Sequence, residues 1–368
     1  GNSHVCAILD NGDLKCWGSD SKGQLGNGGS NTNANSPYST NVIDLGTGRT
    51  AVAVSAGSSH TCAILDNGEL KCWGNDNYGQ LGNGGTITAD QTSPPSTAID
   101  LGTGRTAVAV STGWYHVCAI LDNGDLKCWG RDNNGQLGDG GSYTNTNAPS
   151  STAIDLGTGR TAVAVSAGNG HTCAILDNGD LKCWGNDWNG QLGDGGTNTD
   201  TNAPSSTAID LGTGRTAVAV SVGRYHSCAI LDNGEAKCWG SDQYGQLGDG
   251  GTTHTSSTYT TAPSSTAIDF GTGRTAVALA SGDYHNCAIL DDGDMKCWGY
   301  NSNGQLGIGT SGSNTEEVSP VSVLGSNSWN SSTGVSSGSG GGMTNVTNAT
   351  CSVSPALPTG LSMDSSTC

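Results

Sequence analysis

Six pairs of cysteines recur along the chain, the members of each pair ten residues apart: Cys6 and Cys16, Cys62 and Cys72, Cys118 and Cys128, Cys173 and Cys183, Cys228 and Cys238, Cys287 and Cys297. Regularly placed thiols serve two chemistries, disulfide formation and metal ligation. Structural zinc sites gather four ligands, usually from cysteines about two to four residues apart. No Cys-x-x-Cys occurs here. The spacing, and an even total of 14 cysteines, read as a disulfide framework made in an oxidising compartment. Cys351 and Cys368 stand outside the series.

Other reactive side chains repeat just as strictly. His4, His60, His116, His171, His226 and His285 hold one place in every copy. A ring of six histidines could bind a metal or sense pH. A repeated position is more simply read as a hydrogen bond that each unit needs, and that reading is adopted. The turns Asp132-Asn133-Asn134-Gly135 and Asp187-Trp188-Asn189-Gly190 offer oxygen ligands for calcium. They lack the full spacing of an EF-hand loop and its terminal Glu, and Asx turns account for them. No metal ligands and no cofactor are therefore assigned. Gly-x-Ser-x-Gly does not occur as a strand-to-helix elbow, and no free reactive Cys is expected, so no enzymatic activity is assigned either.

These residues sit on a repeated element. The first cysteines follow one another at 56, 56, 55, 55 and 59 residues, the mark of a repeat architecture. In one unit, Thr97–Leu101 and Arg105–Ser111 flank Gly102-Thr103-Gly104 and read as a hairpin. Cys118–Leu121 and Leu126–Trp129 flank Asp122-Asn123-Gly124 and read as a second. Asp-Asn-Gly suits a three-residue loop with Gly in the left-handed region. Centred on Asn123, that loop places Cys118 opposite Cys128. Paired residues have Cβ atoms about 4.5–5.5 Å apart, and a disulfide needs about 3.5–4.5 Å. Each bridge closes a short loop and contributes at most about 2–3 kcal/mol. Runs of Gly-Gln-Leu-Gly follow at Gly23, Gly79, Gly135, Gly190, Gly245 and Gly304. Four short antiparallel strands with glycine corners, repeated radially, describe β-propeller blades, so the fold class is all-β with one disulfide per blade.

Composition agrees. Of 368 residues only 33% are hydrophobic and one is Phe, while 60 are Gly, which makes a thin core in need of staples. The net charge of −18 argues against a nucleic-acid partner. No apolar run of about 18 residues exists to span a membrane. Gly1 aligns with Gly57, in mid-repeat, so a preceding N-terminal part is expected.

The pattern Gly-x-x-His, a small residue, Ala-Ile-Leu, an acidic-Gly turn, Trp-Gly and Gly-Gln-Leu-Gly resembles the regulator-of-chromosome-condensation repeats over residues 1–325. The resemblance implies a propeller, typically of seven blades. Its members include a nuclear nucleotide-exchange factor, a secreted β-lactamase inhibitor and a plant ultraviolet sensor using a tryptophan cluster. A shared fold transfers none of these activities. Trp17, Trp73, Trp129, Trp184, Trp239 and Trp298 are read as filling the space between blades, with the stems of Lys71 and Lys182 along apolar surface. The regular Cys pair departs from the nuclear members and conflicts with nucleotide exchange on a GTPase. Six Cys hairpins leave open whether six or seven blades close the ring. Val318–Leu324 could supply a closing strand.

Function is expected where the copies differ. The pair before each His reads Asn2-Ser3, Ser58-Ser59, Trp114-Tyr115, Asn169-Gly170, Arg224-Tyr225 and Asp283-Tyr284. Tyr78, Arg131, Trp188, Tyr244 and Tyr300 follow the Trp-Gly steps. Equivalent propeller loops share a face, and aromatics with Arg are what interfaces favour. The candidate binding residues are Trp114, Tyr115, Arg224, Tyr225, Tyr284, Trp188 and Tyr244.

Residues 326–350 are rich in Ser, Gly and Asn, a linker by composition, with N-glycosylation sequons at Asn330, Asn345 and Asn348. Residues 351–368 resemble the opening of immunoglobulin-like repeats of microbial surface proteins, which implies a second module in which Cys351 pairs with Cys368. The expectation is a secreted or surface-attached, non-enzymatic module that binds protein or glycan, with adhesion or self-assembly into an oligomer or filament. The alternative is a discrete secreted regulator, such as an inhibitor of an extracellular enzyme.

Overall fold

A computed structural model describes residues 1–29, 32–85, 89–196, 198–251, 258–312 and 315–325. The sequons and the Cys351/Cys368 pair lie outside the described residues. Among the described residues, apart from one 3-10 turn at Pro37–Ser39, every element is a short antiparallel strand. No helix among the described residues is long and apolar enough to cross a membrane.

Each blade is built on one hairpin. In the second blade the strands are Ala51–Ala56, His60–Leu65 and Leu70–Gly74, innermost to outermost. The turn Asp66-Asn67-Gly68 closes with Gly68 N–H donating to the Leu65 carbonyl at 2.8 Å, and Gly68 is left-handed at φ +78°. The resulting register puts Cys62 directly opposite Cys72, and the same holds for all six pairs. All six disulfides form, with Cα atoms 4.0–4.1 Å apart. So close a pair belongs to the non-hydrogen-bonded class.

The expected hairpin from Thr97 to Ser111 does not form. Ile99 N–H donates instead to the Leu70 carbonyl at 2.9 Å, on the outer edge of the preceding blade. Ala107–Thr112 becomes the innermost strand of the next blade and pairs with His116–Leu121. The Gly102-Thr103-Gly104 turn, with both glycines at positive φ, is thus the handover between blades. It reads like a hairpin turn because its flanks are apolar, yet each flank buries against a different sheet. For the same reason the fourth strand is mostly residual. In blades one to four it is an isolated bridge, such as Gly74 with Gln91. In blade five it is Tyr259–Thr260. In blade six Glu317–Ser322 pairs with Met295–Gly299, so the Val318–Leu324 run completes its own blade.

The core lies between blades. In the second blade, Cys62, Ile64, Leu70 and Cys72 pack against Val117, Ala119, Leu121 and Trp129 of the third. The alternate residues Ala63 and Leu65 pack backwards onto Leu14, Cys16 and Leu25 of the first. Both faces of the middle strand are therefore buried, consistent with its unbroken apolar run. The indole Nε1 of Trp73, Trp129, Trp184, Trp239 and Trp298 donates to a Gln carbonyl of the preceding blade at 3.0–3.1 Å. These Gln residues belong to the Gly-Gln-Leu-Gly runs. The last Gly of the run is required: a Cβ on Gly82 would lie 2.4 Å from Trp129 Nε1. Lys71 and its equivalents reach back to a carbonyl, Lys71 Nζ donating to Leu45 at 3.0 Å.

The first and last blades carry open faces. Val5 is 51% exposed, whereas its counterparts Thr61 and Val117 are fully buried. Ile289 is 37% exposed against 2% for Ile64.

Candidate functional site

The inner strands line a central cavity of about 510 Å³. A ring of glycines, one from each blade, lines its neck: Gly1, Gly57, Gly113, Gly168, Gly223 and Gly282. A Cβ on Gly57 would fall 2.2 Å from His60 Cε1 and 2.6 Å from the Gly113 carbonyl, so no larger residue fits there. Behind the neck stand the repeated histidines. Their Nε2 atoms reach the next blade: His4 to Thr61, His116 to Thr172, His171 to Ser227 and His226 to Asn286, at 2.8–2.9 Å. The Thr172 hydroxyl itself donates to the Gln136 carbonyl, so His116 must donate from Nε2. Burial holds His4, His60, His116 and His171 down to about 3 and His226 to about 4, so all are neutral. The histidine ring is thus an inter-blade seam.

The Asp of each turn is likewise turned inward. Asp76, Asp132 and Asp187 accept from Leu81, Leu137 and Leu192 N–H at 3.0 Å, and burial raises all three to about 6. Among the described residues no group of three or more His, Cys, Asp or Glu converges as a metal site would.

The unrepeated residues converge at the cavity mouth. Arg224, on the loop after Ala217–Val222, lies over Trp114 at 4.4 Å, Tyr225 at 5.1 Å and Tyr284 at 5.5 Å from its guanidinium to the ring centroids. It thereby bridges blades three, five and six. Tyr284 continues to Tyr244 at 5.1 Å, and Tyr244 to Tyr300 at 4.7 Å. On the other side Trp114 meets Tyr115 edge-on at 6.2 Å, and Tyr115 meets Tyr78 at 4.8 Å. Arg131 sits over both tyrosines at 5.5 and 5.8 Å. All of these side chains are half-buried. The result is one continuous aromatic arc with two guanidinium groups laid on it. Burial raises the Tyr284 phenol, which stays protonated.

Six of the seven expected binding residues join this arc: Trp114, Tyr115, Arg224, Tyr225, Tyr284 and Tyr244. Trp188 makes no ring contact with them and is 72% exposed. Tyr78, Arg131 and Tyr300 belong to the arc and were not among the seven. The offset within the turn separates them. Arg131 and Tyr300 come directly after Trp-Gly, and Tyr78 and Tyr244 directly before Gly-Gln. Trp188 occupies the intermediate offset, which points to solvent.

The sequence matches the RCC1-like domain over residues 1–346. It is 32% identical over 327 residues to the ultraviolet-B receptor UVR8 of Arabidopsis thaliana, covering 88% of this chain and 68% of that one. It is 30% identical over 253 residues to the human E3 ubiquitin-protein ligase HERC2, covering 69% of this chain and 5% of the ligase. Among solved structures, yeast RCC1 (Prp20) bound to Kap60 superposes with a TM-score of 0.74 at 19% identity, covering 90% of this chain and 75% of that one.

Proposed function

The chain belongs to the RCC1-like domain family, a propeller scaffold for protein interaction, and from that premise we propose that it is a non-enzymatic recognition module working outside the cell or at its surface. One observation carries the reading. Residues that repeat are spent on seams between blades, and six of the seven unrepeated residues picked out as binding candidates gather at a single mouth. A disulfide in every one of six blades supports an oxidising compartment. Yeast RCC1 was solved with a protein partner, Kap60.

The shape of the arc bears on the choice between an adhesive, self-assembling subunit and a discrete regulator. Self-assembly through a repeat would use equivalent contacts at a fixed rotation. The arc draws on blades two, three, five and six unequally, which favours one asymmetric partner, a protein or glycan at the surface.

Material purified without reductant, unfolded and titrated for thiols, is expected to show none from the twelve paired cysteines; free thiols throughout would overturn the compartment. Labelled chain is expected to bind cells of its source, and the double variant Trp114→Ala, Tyr225→Ala to lose that binding with its melting temperature nearly unchanged. Retained binding refutes the mouth as the contact face. Electron imaging separates the remaining arms: filaments or sheets indicate a structural subunit, and isolated rings a regulator.

A further inference from the structure

We propose that the mouth recognises an acidic peptide segment, whose carboxylates are received by Arg224 and, beside it, Arg131. The inference rests on the mouth being the binding face.

Its basis is an accounting of cations. Arg49, Arg105, Arg160, Arg215 and Arg274 each pair with a turn Asp at 3.1–3.4 Å. Lys22 pairs with Asp90, and the remaining lysines donate to backbone carbonyls. Arg131 and Arg224 are different. Among the described residues neither guanidinium has a carboxylate or carbonyl partner, and the Nε of each is buried with no acceptor. An unsatisfied charged donor is costly to keep, and a ligand that satisfies it recovers that cost. In a chain of net charge −18, the two side-chain cations with neither an anion nor a carbonyl partner among the described residues are the two at the mouth.

The way they are held suits a carboxylate. A guanidinium held over aromatic faces keeps its N–H donors unpaired, and their fork matches a carboxylate bidentately. Trp114, Tyr225 and Tyr284 fix Arg224 from several sides, so little freedom remains to be lost on binding. The aromatic arc supplies apolar contact for the flanking residues of the peptide. Asp283 lines the same cavity, and its backbone carbonyl accepts from the Arg224 backbone N–H at 3.2 Å. Its charge disfavours an unspecific anion and restricts binding to groups that reach the guanidinium edges. A sulfated polysaccharide or a nucleic acid needs many dispersed cations, which the net charge denies it.

The test pans a random decapeptide display library on the full chain without reductant. Bulk electrostatics alone would select basic peptides, so the expected enrichment in Asp and Glu is a specific signature. A selected peptide should bind about tenfold or more weakly to Arg224→Gln, and lose about as much when its acids are replaced by amides. Arg224→Lys should fall between, since it keeps charge without the fork. Melting curves of the variants confirm the fold. Basic or uncharged selections, equal binding to Arg224→Gln, or displacement of the peptide by heparin overturn the proposal. Peptides that depend on Trp114 but lack acids overturn it alone and leave the binding face standing. If no peptide is selected, the proposal fails, and the binding face stands or falls with the cell-binding test.

Discussion

Replacing Val117 by Thr should stabilise the protein. At four seams a buried His Nε2 meets a side-chain oxygen of the next blade at 2.8–2.9 Å. At the seam between blades two and three the position is Val117, fully buried, and both ring nitrogens of His60 are left without a partner. Val and Thr have nearly the same shape, so the change adds a hydroxyl without a cavity. That hydroxyl would accept from His60 and donate to the Gln80 carbonyl, as Thr172 does with His116 and Gln136. Burying a hydroxyl costs about 1–3 kcal/mol when unpaired, and each bond returns about 0.5–1.5 kcal/mol net, with the relief of the orphaned His60 in addition. The balance is a gain of about 1 kcal/mol. Thr172→Val makes the opposite change, orphans His116 and should cost about 2 kcal/mol. Val5→Thr is the control: the same position on the open face of blade one should be neutral within about 0.5 kcal/mol. In a chain this long 1 kcal/mol moves the melting temperature by only about 1–2 °C, so the denaturant midpoint without reductant is the better readout. A lower midpoint for Val117→Thr, or an unchanged one for Thr172→Val, would refute the seam argument.

Other expectations follow from the same geometry. Gly82→Ala should destabilise by about 3 kcal/mol or more, because the left-handed backbone and the Trp129 indole both oppose a Cβ; Gly84→Ala, at similar φ with no atom within 4 Å, should cost only about 1 kcal/mol. Equal midpoints for the two would show that the indole contact is unimportant. Stability should fall between pH 7 and pH 5. Histidines held at about 3 or 4 when folded titrate near 6.5 when unfolded, so the unfolded chain binds more protons in that window. Asp76, Asp132 and Asp187, at about 6 folded and about 3.9 unfolded, act in the opposite sense, but are fewer. A midpoint as high at pH 5 as at pH 7 contradicts this. Removing one bridge by Cys62→Ala with Cys72→Ala should cost about 2–3 kcal/mol, read as a lower midpoint, and an unchanged midpoint would make the bridge structurally idle.

The strict parts of the repeat were legible because local rules fix them. Asp66-Asn67-Gly68 determines a three-residue turn, the turn determines a register, and the register places Cys62 on Cys72. The handover at Gly102-Thr103-Gly104 was not legible, because local apolar pattern cannot say which sheet a strand joins. Only the bond from Ile99 to Leu70, across 29 residues, settles that. Trp188 shows the same limit at the site. Its residue type suits an interface, but one step of offset in the turn decides whether a side chain joins the arc or leaves it.

Comparing copies separates structure from recognition for a physical reason. A residue in a seam has a partner in the next blade, and that partner has one in the blade after, so a change in one copy leaves something unmatched. Val117 illustrates the cost, since it leaves His60 unpartnered. A residue at the mouth has no such obligation to the ring. Arg224 occupies the place held by Ser58, Trp114, Asn169 and Asp283 in other blades, and none of those choices disturbs the strands on either side. The mouth is therefore the part of this scaffold free to vary, and its two unpaired guanidinium groups are what the proposed acidic ligand would meet there.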